Sequence, residues 1–513
     1  MMSDKKTDKK NEITETSDAR CASGVEGLDE IVDGGLPGDC LYLLQGDPGS
    51  GKTTLALQFL LEGVRRGERT LYITLSETKA ELLKVARSHG WRLDAISLFE
   101  LSAIESLVRP EAHTTVFHSS ELELTKVSDL LLEETRKTQP TRIVFDSLSE
   151  FRLMAETALR YRRQLLTLKQ ELAKYRSTVL LLDDNMKNNR IGTDAHVWSL
   201  THGVIELEQL SPDYGRSRRR LRVKKLRGVK FREGYHDYTI ETGGVRVFPR
   251  IGAAEYRTAF RHEPVSSGHL DLDDLLGGGL DRGTTTIILG PAGTGKSTLT
   301  IQYATHMAQR GEPTLIFAFD EIPSILLTRA PALGFDIAKH VESGVIDIQQ
   351  VDPAEISPGE FGMRVRRGVE AGCKLVIIDS LNGYMNAMPG EKYLANQLHE
   401  LSAYLNQQGV VTIFVLTQHG LLGPSESPMD LSYLADTVMN VRYFEVGGVV
   451  RQALSVIKKR SGRHEKTIRE FTLESGRGLC IGPPLTQFQG VLSGTPLFNG
   501  GTEQMMERPD AGR

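Results

Sequence analysis

The sequence predicts an α/β fold in two tandem copies, each a mostly parallel central sheet flanked by helices. Three observations carry the prediction. The pattern G-x-x-x-x-G-K-[ST] occurs twice, as Gly46-Asp47-Pro48-Gly49-Ser50-Gly51-Lys52-Thr53 and as Gly290-Pro291-Ala292-Gly293-Thr294-Gly295-Lys296-Ser297. The residues around the two copies answer each other at a constant spacing. Within each half, short apolar runs rich in β-formers alternate with longer amphipathic ones, as in parallel strands joined by helical crossovers.

The repeat is a domain duplication rather than a short-period solenoid. At an offset of 244, Ser23-Gly24 answers Ser267-Gly268, Leu28-Asp29 answers Leu272-Asp273, and Gly34-Gly35-Leu36 answers Gly278-Gly279-Leu280. The offset holds at Lys52 and Lys296, and at Glu77 and Glu321. It then drops to 233, where Asp146-Ser147-Leu148 answers Asp379-Ser380-Leu381 and Lys225 answers Lys458. The expected organisation is a disordered leader over 1–18, a first domain over 19–250, a linker over 251–264, a second domain over 265–484 and a flexible tail over 485–513.

Each half opens with an apolar run, over 41–44 or 286–289, that leads into the glycine loop. A helix-like segment follows, over 54–59 or 298–303. In the first half, 70–74, 142–146 and 178–182 read as strands, and 128–138 and 158–175 carry helical periodicity. In the second half 314–319, 374–379 and 410–417 play the strand parts. Continuous apolar runs of this kind suit central strands covered on both faces. A ligand is expected at the carboxyl ends of those strands.

Composition bounds the class of partner. The formal net charge is -4, from 62 basic and 66 acidic residues, so bulk electrostatics do not favour nucleic acid. Cys21, Cys40, Cys373 and Cys480 are scattered without a C-x-x-C pair. That argues for a reducing compartment and against a zinc site or a disulfide scaffold. No uninterrupted apolar run approaches the roughly 20 residues of a membrane span. The first 18 residues are polar and lysine-rich, without the apolar core of a signal peptide. The expectation is a cytoplasmic protein.

The repeated octapeptide is the phosphate-binding P-loop. Its glycines let backbone N–H groups turn inward on phosphates, at dihedrals that a Cβ would resist. Gly46, Gly49, Ser50, Gly51, Lys52, Thr53 and Thr54 are the nucleotide-binding candidates of the first half. Gly290, Gly293, Thr294, Gly295, Lys296, Ser297 and Thr298 are those of the second. The lysine reaches the outer phosphates, and the Thr53 or Ser297 hydroxyl holds Mg²⁺. ATP and Mg²⁺ are therefore the expected ligands. The helix that follows presents its free amides and positive dipole end to the anion.

Phosphoryl transfer also needs a carboxylate at the metal, something to orient the nucleophile, and positive charge for the transition state. Asp146 and Asp379 each end an apolar strand and are followed by Ser, the placement of a metal-supporting aspartate. Glu77 and Glu321 follow the next strand after the P-loop helix and share the offset, so they are the candidates for catalytic base. Asp320 is a candidate helper, and Ser76 stands in its place in the first half.

The densest basic run, 216–230, holds nine basic residues. In isolation it would suggest a nucleic-acid patch. Its ending repeats, however: Lys225 and Arg227 are answered by Lys458 and Arg460. A Lys-x-Arg pair at strand spacing points both cations the same way. The repeat suggests a role at each nucleotide, as cations reaching a neighbouring subunit's γ-phosphate. A solvated edge strand, with lysines that discourage aggregation, remains the other reading.

Taken together these residues resemble the KaiC family, circadian clock ATPases with two RecA-like domains. The resemblance spans about 17–494 and rests on both P-loops, Ser76-Glu77-Thr78, Asp320-Glu321, Asp146-Ser147, Asp379-Ser380, Lys225-Leu226-Arg227-Gly228 and Lys458-Lys459-Arg460. It implies an ATP-bound homo-oligomer, a hexamer, with nucleotide at subunit interfaces contacted in trans by Lys225, Arg227, Lys458 and Arg460. It implies ATPase chemistry in the first half, and autokinase and phosphatase chemistry in the second. Ser432 matches the family's phosphosite, and a KaiB-like or other signalling protein would be the partner. Two departures are visible: Ser76 replaces the first of two glutamates, and Tyr433 follows Ser432 where clock proteins carry threonine. A RecA- or DnaB-like DNA-dependent ATPase shares the core fold. It is disfavoured by the acidity and by the lack of an aromatic-plus-basic loop for stacking bases. A non-catalytic nucleotide-gated scaffold is the remaining alternative.

Overall fold

The computed structural model describes residues 19–101, 119–155, 157–184, 193–211, 215–352, 354–386, 393–418, 433–492 and 497–498. The chain divides into two compact units, with the main break after Arg250. Each unit is built on one nine-stranded sheet.

The first sheet comprises β1 (Leu41–Gly46), β2 (Thr70–Thr74), β3 (Ser97–Glu100), β4 (Arg142–Asp146), β5 (Thr178–Asp184), β6 (Gly203–Leu210), β7 (Arg218–Leu226), β8 (His236–Glu241) and β9 (Gly244–Phe248). Their spatial order is β9-β8-β7-β6-β1-β5-β4-β2-β3. Strands β1 to β6 pair in parallel, and β7 to β9 extend the sheet antiparallel. The second sheet comprises β10 (Thr285–Gly290), β11 (Thr314–Ala318), β12 (Ile346–Gln350), β13 (Leu375–Asp379), β14 (Val411–Thr417), β15 (Thr437–Val446), β16 (Val449–Lys459), β17 (Ile468–Glu474) and β18 (Gly478–Pro484). It repeats the same order, strand for strand. The strands expected from the sequence lie within about two residues of those observed, the usual uncertainty of element ends.

Period-two alternation explains how each central strand serves two cores. Tyr42 and Leu44 pack on one face with Leu55, Leu57 and Phe59 of the P-loop helix, whereas Leu41 and Leu43 pack on the other. Tyr161, Leu165, Leu168 and Leu172 of the helix Ala158–Ala173 close that second face. In the second unit Ile288 and Ile377 face one core while Ile287, Val376 and Ile378 face the other. Each such fully buried side chain contributes roughly 1.5–3 kcal/mol. The result is two mostly parallel sheets whose central strand ends hold functional groups in defined register.

Strand β7, carrying the basic run, lies between β6 and β8, and β16 lies between β15 and β17. The pairing is two-sided only over part of each strand, Arg219–Leu221 in β7 and Gln452–Ser455 in β16, whereas the registers pair Lys225 and Lys458 on one side, with Val204 and Val438. Three cations of β7 are matched by carboxylates of β6. Glu206 accepts from Arg222 at 2.5 Å and from Lys224 at 2.6 Å, and Arg220 reaches Glu208 at 3.3 Å. Arg220 and Arg222 also stack on Tyr235 at 4.5 and 4.7 Å.

Residues expected to form a linker pack on the second unit. Ile251 joins its core, Tyr256 meets Tyr404 edge-on at 5.5 Å, and Arg366 lies over the Tyr256 ring at 5.0 Å. Beyond residue 484, Phe488-Gln489 pairs antiparallel with Leu497-Phe498, and Phe488 packs against Phe444 at 5.3 Å.

Candidate nucleotide sites

Each P-loop joins the end of a buried strand to a helix. The helices Lys52–Arg65 and Lys296–Gln309 start at Gly51 and Gly295, whose φ of 93° and 90° are left-handed. Glycine adopts that conformation at little cost, so the loop closes tightly onto the helix. A Cβ on Gly46 would lie 2.6 Å from Ser50 Oγ and 2.9 Å from the Leu207 carbonyl, so the loop also leaves no room for a side chain there.

In the first unit Lys52 folds over its own loop. Its Nζ donates to the carbonyls of Gly46 at 2.8 Å and Asp47 at 3.2 Å, and pairs with Asp184 Oδ1 at 2.9 Å. Asp146 is buried at the end of β4 and accepts a hydrogen bond from the Tyr72 hydroxyl at 2.5 Å. Burial pushes its carboxyl up, with the nearby Asp184 adding to the shift; the Tyr72 bond and Lys52 oppose it. Glu77 is held by its backbone, which exchanges hydrogen bonds with the Thr74 hydroxyl at 2.7 and 2.9 Å. Its carboxyl is pushed up to about 7, by burial first and then by Asp146 and Glu81; the Thr53 hydroxyl and Lys52 oppose the rise. Its Oε2 is buried without a hydrogen-bond partner.

The second unit differs in detail. Lys296 is buried and donates to the Pro291 carbonyl at 2.7 Å. Burial lowers its ammonium to about 8, against the attraction of Asp379 and Asp320. Asp379 is raised by burial and by Asp320 and Glu321, while the Ser297 hydroxyl and Lys296 oppose. Asp320 accepts a hydrogen bond from Ser380, the residue after Asp379. Glu321 pairs with Arg329 at 2.9 Å.

The structure thus groups Lys52, Thr53, Glu77 and Asp146 in one unit, and Lys296, Ser297, Asp320, Glu321 and Asp379 in the other. Thr54 and Thr298 are buried in the first turn of their helices. Lys225, Arg227, Lys458 and Arg460 are placed elsewhere. Val204 pairs with Lys225 and stands opposite Leu43, three residues before Gly46. Three strand residues span about 10 Å, so Lys225 sits toward the amino ends of the parallel strands, away from its own loop. It donates to the carbonyls of Trp198 and Thr201, and Arg227 donates to the Ser199 carbonyl at 3.1 Å. Lys458 repeats the arrangement, pairing with Val438 and donating to the Ala435 carbonyl at 2.8 Å. Arg460 lies 3.7 Å from Asp436. Ser432 lies outside the described residues.

Sequence reasoning missed Asp184 and Tyr72. A signal existed for Asp184: it follows the predicted strand over 178–182, and at the offset of 233 it answers Thr417. Tyr72 is one residue in an apolar run, and nothing in the sequence shows that β2 lies beside β4.

Two duplicated parallel sheets, each with a P-loop and a strand-end aspartate, define a tandem P-loop ATPase of the RecA-like class. The family model described as "ATPase: KaiC" matches twice, over residues 21–251 and 265–486. The chain belongs to the KaiC family. It is 27% identical over 489 residues to the circadian clock protein KaiC3 of Synechocystis sp., covering 94% of this chain and 95% of that protein. It is 26% identical to the circadian clock oscillator protein KaiC of Picosynechococcus sp., covering 92% and 91%. The oscillator protein KaiC of Synechococcus elongatus is similar at 26% identity, over 97% of this chain and 95% of that protein. Among the described residues no helix is long and apolar enough to cross a membrane.

Proposed function

We propose that the chain hydrolyses ATP at two Mg²⁺-dependent sites and that its second half also phosphorylates Ser432 within a nucleotide-dependent homo-hexamer. The observation that carries the reading is the twofold separation of each Lys-x-Arg pair from its own P-loop. A cation pair repeated with each nucleotide site, yet positioned away from it, has its use at a neighbour's site.

The residues present fit Mg²⁺. Among the described residues no three His, Cys, Asp or Glu side chains could hold a metal by themselves. Each site instead offers one hydroxyl and one carboxylate, hard oxygen donors of the kind Mg²⁺ takes together with phosphate oxygens and water. Thr53 with Asp146, and Ser297 with Asp379, would hold it. Bound there, it would neutralise charge on the outer phosphates.

The chain's own groups do the rest. Lys52 and Lys296 bind the outer phosphates. Glu77 takes a proton from the attacking water, whose oxygen bonds to the γ-phosphorus as the bond to the leaving diphosphate oxygen breaks. A carboxyl titrating near 7 suits a general base at neutral pH. In the second half Glu321 accepts the proton of water or of the Ser432 hydroxyl, with Asp320 alongside. The names of the relatives support a clock-type or other signalling output, read by a KaiB-like or other protein partner.

Phosphosite mapping after incubation with ATP tests the kinase assignment. Phosphate is expected on Ser432 and is expected to be lost in Glu321→Gln. An unmodified Ser432 in an actively hydrolysing chain would leave an ATPase without autokinase activity. Hydrolysis is expected to be unchanged by single-stranded DNA, and stimulation would favour the DNA-dependent alternative.

A further inference from the structure

The two P-loop lysines have different neighbours at one equivalent position. Asp184 ends β5 directly opposite Gly46 in the parallel register, and Thr417 ends β14 directly opposite Gly290. Asp184 Oδ1 lies 2.9 Å from Lys52 Nζ, whose remaining protons go to the Gly46 and Asp47 carbonyls. An ammonium has three donors, so all of them are engaged. The aspartate is itself braced. Its N–H lies 3.3 Å from Ser149 Oγ and 3.1 Å from Asp183 Oδ1, and Ser149 Oγ, which donates to Asp183 Oδ1 at 2.9 Å, lies 3.3 Å from its Oδ2. Asp183 is fixed in turn by Arg152 at 2.5 Å. In the second unit Thr417 brings no charge. Its N–H and carbonyl are bonded to the Asn382 amide at 2.7 and 2.9 Å, and among the described residues Lys296 makes no ion pair.

We propose that Asp184 is a specificity-determining residue that biases the first site toward nucleoside diphosphate over triphosphate, a bias absent from the second site. The inference rests on the two-site ATP reading above. The P-loop lysine serves the outer phosphates. A carboxylate at ion-pair distance from it competes for its protons and repels phosphate charge arriving there. Like-charge repulsion falls with distance, so it acts hardest on the terminal phosphate that only the triphosphate carries. The diphosphate ends short of that charge and loses less. The first site would thus release its lysine to ATP reluctantly and lose more affinity for ATP than for ADP.

The test measures affinity for ADP and for a non-hydrolysable ATP analogue, with Mg²⁺, on the full chain carrying Lys296→Ala so that only the first site is read. In Asp184→Asn and Asp184→Thr the ratio of triphosphate to diphosphate dissociation constants should fall by about tenfold. The reciprocal variant, Thr417→Asp in a Lys52→Ala chain, should raise the same ratio at the second site. An unchanged ratio, or equal shifts for both nucleotides, in the Asp184 variants and in Thr417→Asp would overturn the assignment while leaving the two-site reading intact. A Lys296→Ala chain that binds neither nucleotide would overturn both.

Discussion

Arg329 places Nη2 2.9 Å from Glu321 Oε2, and the aligned position in the first half, Val85, offers Glu77 no such partner. The ion pair fixes the orientation of one candidate base, whereas the other has its backbone anchor on Thr74 and the Thr53 hydroxyl at its carboxyl. In a Lys52→Ala chain, Arg329→Ala should lower second-site turnover by about tenfold with KM unchanged, and Arg329→Lys should restore part of it. Steady-state hydrolysis checks this; a change in KM alone would assign Arg329 to binding.

The buried Glu77 carboxyl, pushed up to about 7, gives the first site a pH dependence with a definite sign. A base must be deprotonated, so hydrolysis by a Lys296→Ala chain should rise as pH increases from about 6 to 8. Stability should move the other way. A carboxyl raised above its unfolded value favours the fold while protonated, and that contribution is lost as pH rises from about 4.5 through about 7. Glu77→Gln should remove the activity and flatten this part of the stability profile. A pH-independent rate over that range would remove Glu77 from the base role.

The remote Lys-x-Arg pairs predict complementation between chains. Arg227→Ala lacks the cation offered to a neighbour, whereas Lys52→Ala lacks the phosphate-binding lysine but keeps the cation. Mixed rings should recover part of the first-site hydrolysis that each variant lacks alone. Light scattering should show assembly only with nucleotide. A monomer at saturating ATP analogue, or mixtures no better than their parts, would place these cations outside catalysis.

How much of this was legible in the sequence depends on the range of the interaction. The strands over 70–74, 142–146 and 314–318 follow from local apolar runs, and the duplication from spacing alone. Lys52, Thr53 and Asp146 are legible because the P-loop and the strand-end aspartate are short local patterns with a physical reason. Asp184 beside Lys52, and Tyr72 beside Asp146, depend on which strands become neighbours in the sheet. No local periodicity encodes that order, so their partners appear only once the register is known. The placing of β7 in the sheet interior is the same kind of information. Arg220, Arg222 and Lys224 stand beside Glu206 and Glu208 of the adjacent strand, a charge matching that the basic run alone does not reveal.

The central claim is that each chain carries two independent nucleotide sites, one per sheet. Equilibrium dialysis with an ATP analogue and Mg²⁺ measures it directly. The wild-type chain should bind about two nucleotides, and Lys52→Ala and Lys296→Ala about one each, because each P-loop lysine serves only its own unit. A single bound nucleotide in the wild type, or loss of all binding in one single variant, would contradict the account.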